Sequence, residues 1–85
     1  MVRVYDLKQK EVINISDGCR LGFVADIEFD LKTGKIEAII IPGSGKMFGI
    51  FGHEQEIRIK WSDIDQIGED LIIVDADPDK IFIEL

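Results

Sequence analysis

The fold is decided by the segment LGFVADIEFDLKTGKIEAIII, which occupies residues 21–41. From position 21 to 31, apolar residues recur at every odd position, while the even positions are mostly polar or small. An alternation of period two over this length is typical of a half-buried β-strand. Lys32-Thr33-Gly34 then supplies a glycine for a tight reversal into a second apolar strand at 35–41. The segment predicts a β-hairpin whose first strand buries its odd-numbered side chains.

Further short apolar runs surround this hairpin and end at turn-forming residues. They predict additional strands at residues 2–5, 11–15, 56–61, 66–68, 71–74 and 80–85. Residues 66–68 and 71–74 flank Glu69-Asp70 and therefore predict a second tight hairpin. Ser62 is placed to cap a single helical turn that ends at Asp65.

The last predicted strand directs Ile81, Ile83 and Leu85 inward. Six or seven short strands separated by turn signals indicate a sandwich or a barrel. A barrel is favoured because it hides the strand edges of a chain that contains 16 isoleucines and 5 valines. We expect one domain over residues 1–85, an all-β fold in which about six short, mostly antiparallel strands form a small β-barrel.

Composition and charge argue against several classes of function. The net charge is −7 and the basic residues are scattered, so direct binding to nucleic acid or to an anionic membrane is disfavoured. No apolar run approaches the roughly 20 residues of a membrane span, and the N-terminal residues do not resemble a signal peptide. The single cysteine, Cys19, excludes an internal disulfide and an all-cysteine metal site. We expect a cytoplasmic protein.

Two motifs resemble ligand-binding loops but lack required residues. Gly43-Ser44-Gly45-Lys46 is not a phosphate loop, because Ile40 stands where the first glycine belongs and Met47 replaces the magnesium-binding serine or threonine. The acidic segment 75–79 alternates carboxylates as a calcium loop does, but Lys80 occupies the position of the obligatory glycine. We interpret it as a solvated acidic turn.

Cys19 and His53 are the residues best suited to a nucleophile–base pair. Catalysis would also need an orienting third group and an oxyanion donor, and nothing in the spacing of the sequence suggests either. We therefore expect no enzymatic activity, no catalytic residues, no bound metal and no cofactor.

The glycine-rich loop 43–54 is the strongest candidate for function in the sequence. Large apolar side chains alternate there with glycines, so the backbone is mobile or adopts positive φ. Either the aromatic side chains fold back and plug one end of the barrel, or they remain exposed and bind a partner or a second copy. The candidate partner-binding residues are Lys46, Met47, Phe48, Ile50, Phe51, His53 and Glu54.

Several motifs of the chain match one known family. The first is Gly18-x-x-Leu21-Gly22-Phe23-Val24-Ala25-Asp26, which is followed by Asp30 and by the turn Thr33-Gly34-Lys35-Ile36. The second is Ile59-x-Trp61-x-x-Ile64-x-x-Ile67-Gly68-x-Asp70-x-Ile72-x-Val74. With these motifs the chain resembles the PRC-barrel family. Its Phe48-Gly49-Ile50-Phe51-Gly52 loop is similar to that of the small stand-alone sporulation proteins within the family. Lys60 departs from the pattern, since the family commonly has proline before Trp61.

The resemblance implies a small β-barrel with an adaptor role and no catalytic residues. Related domains in the photosynthetic reaction-centre H subunit and in a ribosome maturation factor serve protein–protein contact. We therefore expect a protein partner of unknown identity, or a homodimer. Two alternatives stay open. One is a regulator that binds a small ligand or metal through His53 with Glu54, Glu56 or an acidic turn, although one histidine with nearby carboxylates is too few ligands for a closed zinc site without a second chain. The other is RNA binding, which the net charge opposes.

Overall fold

The computed structural model describes residues 1–43 and 55–84, which form eight strands and two short helices. In chain order these are α1 Val4–Lys8, β1 Glu11–Asn14, β2 Cys19–Phe23, β3 Asp26–Phe29, β4 Ile36–Pro42, β5 Gln55–Lys60, the 3-10 helix Trp61–Asp63, β6 Ile64–Ile67, β7 Leu71–Val74 and β8 Phe82–Glu84. The all-β prediction is confirmed. The described strands exceed the expected number of about six, in part because the alternating run 21–31 contributes to both β2 and β3.

The strands form two sheets of four that share one hydrophobic core. The first has the order β2-β1-β7-β6, with β1 and β7 parallel and the other neighbours antiparallel. The second has the order β3-β4-β5-β8 and is antiparallel throughout. The described hydrogen bonds do not close the sheets into one ring, so each sheet keeps two edge strands. The edge strand β3 borders the candidate site described below.

The run 21–31 bends from one sheet into the other, which corrects its predicted buried face. The chain leaves the first sheet at Phe23 and enters the second at Asp26. Val24, at the crossing, is buried although it holds an even position. Phe29 and Leu31 are exposed although they hold odd positions. A strand that changes sheets cannot keep one side inward along its whole length, so the alternation predicted the strands but not their burial.

Gly22 allows β2 to pass close to β4 at this bend. Its φ is +113°, a conformation that residues with a side chain rarely adopt. A Cβ at this position would lie 3.4 Å from Cγ2 of Ile41, at the limit of ordinary contact. A side chain there would therefore strain the backbone, and its Cβ would contact the core at Ile41.

The predicted hairpin is confirmed for β3 and β4. Its turn is closed by the N–H of Gly34, which donates to the Asp30 carbonyl at 2.7 Å, and by the N–H of Asp30, which donates to the Lys35 carbonyl at 2.8 Å. Gly34 has φ +73°, as the predicted reversal requires. Oδ1 of Asp30 also accepts the N–H of Lys32 at 2.7 Å, and this bond fixes the first half of the turn.

The predicted strand at residues 2–5 is wrong, because Val4–Lys8 form the helix α1. The carboxylate of Asp6 accepts the N–H of Arg3 at 2.9 Å, and the N–H of Leu7 donates to the Arg3 carbonyl at 3.1 Å. Leu7 is the residue of this helix that is buried in the core. Local capping and one buried leucine outweigh the β-propensity of the two valines.

The C-terminal half follows the predicted strands with two corrections. Ile57 and Ile59 are buried as predicted, and β6 and β7 form the predicted hairpin. The helical turn begins at Trp61 instead of Ser62, and its N-cap residue Lys60 makes no side-chain hydrogen bond. Ile83 is exposed instead of inward, because it pairs with Glu56 on the outer side of the sheet. Leu85 lies outside the described residues.

The core lies between the two sheets and is mainly aliphatic. Leu21, Ile27, Trp61, Ile64 and Ile67 pack against it while partly exposed. Its buried members are Leu7, Val12, Val24, Ile39, Ile41, Ile57, Ile59, Ile72, Val74, Ala76 and Ile81.

Candidate functional site

An apolar groove of about 420 Å³ lies between helix α1 and the edge strand β3. Four of its lining side chains are Val4 from α1, Ile27 and Phe29 from β3, and Ile36 from β4. Lys8 and Asp26 add one positive and one negative side chain to the lining. The groove is therefore a largely apolar surface with a few polar groups, the composition of a typical binding site.

Helix α1 supplies one wall of the groove. Val4 and Lys8 are four residues apart and so lie on the same side of the helix. Leu7, next to Lys8, is buried in the core and holds the helix against the body of the domain. One anchoring leucine thus positions both side chains that α1 contributes to the groove.

Strand β3 supplies the opposite wall through a change of register. Glu28 pairs with Ala38, but the next residue, Phe29, pairs with Ile36, so Glu37 is skipped. Irregularities of this kind re-aim side chains at sheet edges. Here the irregularity brings Phe29 and Ile36 together in the lining of the groove.

The groove and the residues next to it in sequence expose an unusual amount of apolar surface. Val4 and Phe29 in the lining are 53% and 58% exposed. Tyr5 follows Val4 and is 70% exposed, and Leu31 lies two residues after Phe29 and is 89% exposed. Val4 and Phe29 line one groove, and contiguous apolar surface on a small protein usually marks a site of interaction.

Acidic residues alternate with the apolar residues along and just beyond β3. Asp26 pairs with Ile40 of β4, and Ile40 pairs with Arg58 of β5. Nε of Arg58 donates to Oε1 of Glu28 at 2.7 Å, so this ion pair reaches across β4 from the inner strand β5 to the edge strand β3. The described ion pairs do not include Asp26 or Asp30. β3 therefore combines the apolar lining of the groove with a series of carboxylates, of which Asp26 also lines the groove.

All seven partner-binding residues predicted from the loop lie outside the described residues. The structure therefore does not test whether Lys46, Met47, Phe48, Ile50, Phe51, His53 and Glu54 plug the barrel or bind a partner. His53 is also the candidate base that would pair with Cys19, and that pairing is untested for the same reason.

Cys19 itself is an exposed residue at the start of β2. The negative charge of Asp17 raises the pKa of the Cys19 thiol, and a hydrogen bond to Asp17 adds to the effect. A raised pKa reduces the thiolate fraction, so the thiol is a weaker nucleophile than an ordinary cysteine. The surroundings of Cys19 thus oppose activation.

The acidic segment after β7 has the local bonds of a turn. Oδ1 of Asp77 accepts the N–H of Asp79 at 3.0 Å, and the Lys80 ammonium lies 3.9 Å from Oδ2 of Asp77. Within residues 1–43 and 55–84, no three histidine, cysteine, aspartate or glutamate side chains are grouped closely enough to hold a metal ion.

The sequence interpretation missed the groove because its walls come from a misassigned helix and from exposed odd positions in the alternating run. The sequence does contain one indication of the groove. The large apolar residues Phe29 and Leu31 stand at the end of the run, beside the turn that begins at Asp30. Separately, no helix in the described part of the chain is long and apolar enough to cross a membrane.

The fold and the sequence together define the class of protein. The PRC-barrel domain family matches residues 1–81, and the chain belongs to this family. It is 46% identical over 74 residues to the Bacillus subtilis (strain 168) protein named "Probable sporulation protein YlmC", covering 87% of this chain and 91% of that protein. It is also 37% identical over 77 residues to YmxH, an uncharacterized protein of the same strain, covering 88% of this chain and 89% of YmxH. An uncharacterized protein of Clostridium acetobutylicum is 42% identical over 71 residues, covering 84% of this chain and 80% of that protein.

Proposed function

We propose that this protein is a non-enzymatic interaction module that binds a partner protein in the groove between α1 and β3. The observation that carries the proposal is the exposed apolar lining of that groove, above all Val4 and Phe29. Covering two such half-exposed side chains with another surface removes apolar area from water, which is favourable. The partner supplies that cover.

We propose that this activity belongs to spore formation, and the support is the similarity to a protein named for sporulation. An adaptor of this kind connects other proteins and carries out no chemistry of its own. It acts in the cytoplasm, where its negative charge keeps it apart from nucleic acids and anionic membranes.

The loop 43–54 provides a second contact surface in this proposal. Its support is the alternation of glycines with Met47, Phe48, Ile50 and Phe51 in the sequence. The polar residues Lys46, His53 and Glu54 form its rim, and the loop binds either the partner or a second copy of the chain. The groove and the loop are tested by separate variants.

The second candidate function is binding of a small apolar ligand. A groove of about 420 Å³ lies within the range of small-molecule sites, roughly 300–1,000 Å³. A ligand that binds only the native state raises the melting temperature, and the stabilisation grows with the logarithm of its concentration relative to its dissociation constant. Titration with hydrophobic small molecules, with zinc and with RNA therefore separates these alternatives from protein binding. A melting temperature that stays unchanged in all three titrations argues against all three.

The experiment for the main proposal is affinity capture from sporulating cells with matched variants. The groove variant carries Val4→Ser and Phe29→Ser, and the control carries Phe82→Ser. Phe82 is a suitable control because it is 48% exposed on β8, the opposite edge of the same sheet. We expect the groove variant to lose the proteins that the wild type enriches, while the control retains them. Equal capture by both variants, with unchanged melting temperatures, refutes the proposal.

A further inference from the structure

Resting on the proposed function, we infer that the partner binds as an extended strand that adds to the outer edge of β3 and alternates apolar with basic residues. Burial and charge along β3 specify the chemistry of the bound segment, which the proposed function leaves open.

The position of β3 supports strand addition. β3 is the last strand of its sheet, so its outer side offers backbone groups that no described strand pairs. The groove runs between this strand and α1. An extended segment lying in it can therefore pair with the β3 backbone while its side chains contact Val4 and Phe29, as in other complexes formed by strand addition.

The apolar half of the pattern follows from the side of β3 that faces the core. Ile27 pairs with Ile39, which belongs to the core, and Ile27 itself packs against the core and lines the groove. Phe29 lines the same groove. An added strand keeps the alternation of its neighbour, so every second side chain of the bound segment contacts this apolar lining.

The basic half of the pattern follows from the carboxylates that alternate along β3, of which Asp26 also lines the groove. Asp26 and Glu28 alternate with the apolar residues, and Asp30 continues the series just beyond the strand. Arg58 pairs with Glu28, but the described ion pairs leave Asp26 and Asp30 without a basic partner. Directly opposite charges stabilise neighbouring strands and like charges destabilise them, so lysine or arginine is favoured at the intervening positions of the bound segment.

The same charges argue against a second copy of this chain as the occupant. Antiparallel pairing of two β3 strands in register about Ile27 would place Asp26 opposite Glu28 of the other copy. Each chain also carries a net charge of −7. Acidic edge residues of this kind are a common protection against self-pairing, and here they select a basic partner.

The test is binding of short synthetic peptides to the ¹⁵N-labelled protein, followed by NMR and amide hydrogen exchange. The first peptide alternates lysine with isoleucine, phenylalanine and leucine, and the second has glutamate in place of every lysine. A third is the lysine peptide with backbone N-methyl groups on the residues that pair with β3. We expect the lysine peptide to bind at least about tenfold more tightly than either of the others. We also expect it to perturb the NMR signals of the β3 amides and to lose affinity with added salt. We expect Asp26→Lys to reverse the preference between the first two peptides.

Several outcomes would overturn the inference. One is equal binding of the lysine and glutamate peptides, and another is unchanged affinity after N-methylation. The others are amide perturbations centred on β8 and formation of a dimer of this chain that excludes the peptide. Failure of all peptides to bind at millimolar concentration also overturns it. If the Val4→Ser, Phe29→Ser variant nevertheless loses its partner in the capture experiment, the proposed function stands and the bound segment has another conformation or composition.

Discussion

Asn14 and Ala76 join the two halves of the chain by exchanging a pair of hydrogen bonds. Nδ2 of Asn14 donates to the Ala76 carbonyl at 3.0 Å, and the N–H of Ala76 donates to Oδ1 of Asn14 at 3.1 Å. Asn14 is fully buried at the end of β1, where its backbone pairs with Val74 of β7. The side-chain amide thus continues the parallel β1–β7 pairing beyond the end of the strand by taking the place of a backbone amide.

Replacing this asparagine tests the contribution of the side-chain bonds. We expect Asn14→Ala to lower the free energy of unfolding by roughly 2–3 kcal/mol, because the buried N–H of Ala76 loses its acceptor and the Ala76 carbonyl loses one of its two donors. Urea denaturation measures the loss. The control is Ser16→Ala, which removes a second donor to the Ala76 carbonyl at 2.7 Å on a less buried residue. We expect it to cost about 1 kcal/mol or less, so equal losses for the two variants would disprove the account.

The bend between the sheets depends on Gly22. We expect Gly22→Ala to destabilise the domain by about 1–3 kcal/mol, since alanine is strained at φ +113° and its Cβ contacts Ile41. Gly34→Asn is the control. Its φ of +73° lies in the left-handed region that asparagine tolerates, and no heavy atom lies within 4 Å of the added Cβ. Thermal unfolding compares the two variants, and a Gly34→Asn loss as large as that of Gly22→Ala would contradict the proposed role of the bend.

The chemistry of Cys19 is governed by its acidic neighbour. The Asp17 charge raises the pKa of the Cys19 thiol, so less thiolate is present at any given pH. We expect Asp17→Asn to lower this pKa and to speed alkylation by iodoacetamide near neutral pH. The measurement is the alkylation rate as a function of pH. A profile that does not move toward lower pH in the variant would show that Asp17 does not control the thiol.

The loop 43–54 is tested independently of the groove. If it binds a partner or a second copy, the double variant Phe48→Ser and Phe51→Ser weakens assembly or capture while the fold persists. Light scattering measures the mass, pull-down measures capture, and circular dichroism verifies the fold. Unchanged mass and capture would identify the loop as a plug of the barrel and eliminate it as a contact surface.

Much of the fold could be predicted because alternation and turn chemistry are local properties of the sequence. The β3–β4 hairpin required only the apolar runs and Gly34, and the β6–β7 hairpin required only the turn at residues 69–70. Two errors arose where tertiary contacts decide. Buried Leu7 and the Asp6 cap turn a β-prone N-terminus into a helix, and the change of sheet at Val24 reverses which side of the alternating run is buried.

The candidate site was harder to predict than the fold. Its walls come from residues distant in sequence, Val4 on α1 and Phe29 on β3, and the register shift that brings Phe29 to Ile36 leaves no pattern in the sequence. Sequence reasoning instead selected the loop 43–54, where apolar residues and glycines are adjacent in the chain. It recognised the family from the motifs of the two hairpins, and the match to the PRC-barrel domain confirms this.

The most direct measurement of the central claim is site-specific photo-crosslinking in sporulating cells. p-Benzoylphenylalanine is introduced in place of Phe29 in one strain and in place of Phe82 in another, since these phenylalanines have similar exposure on opposite edges of one sheet. We predict that the reporter at position 29 forms a discrete crosslinked complex with another protein, and that the reporter at position 82 does not. No crosslink at position 29, or the same crosslinked protein from both positions, would contradict a partner bound in the groove.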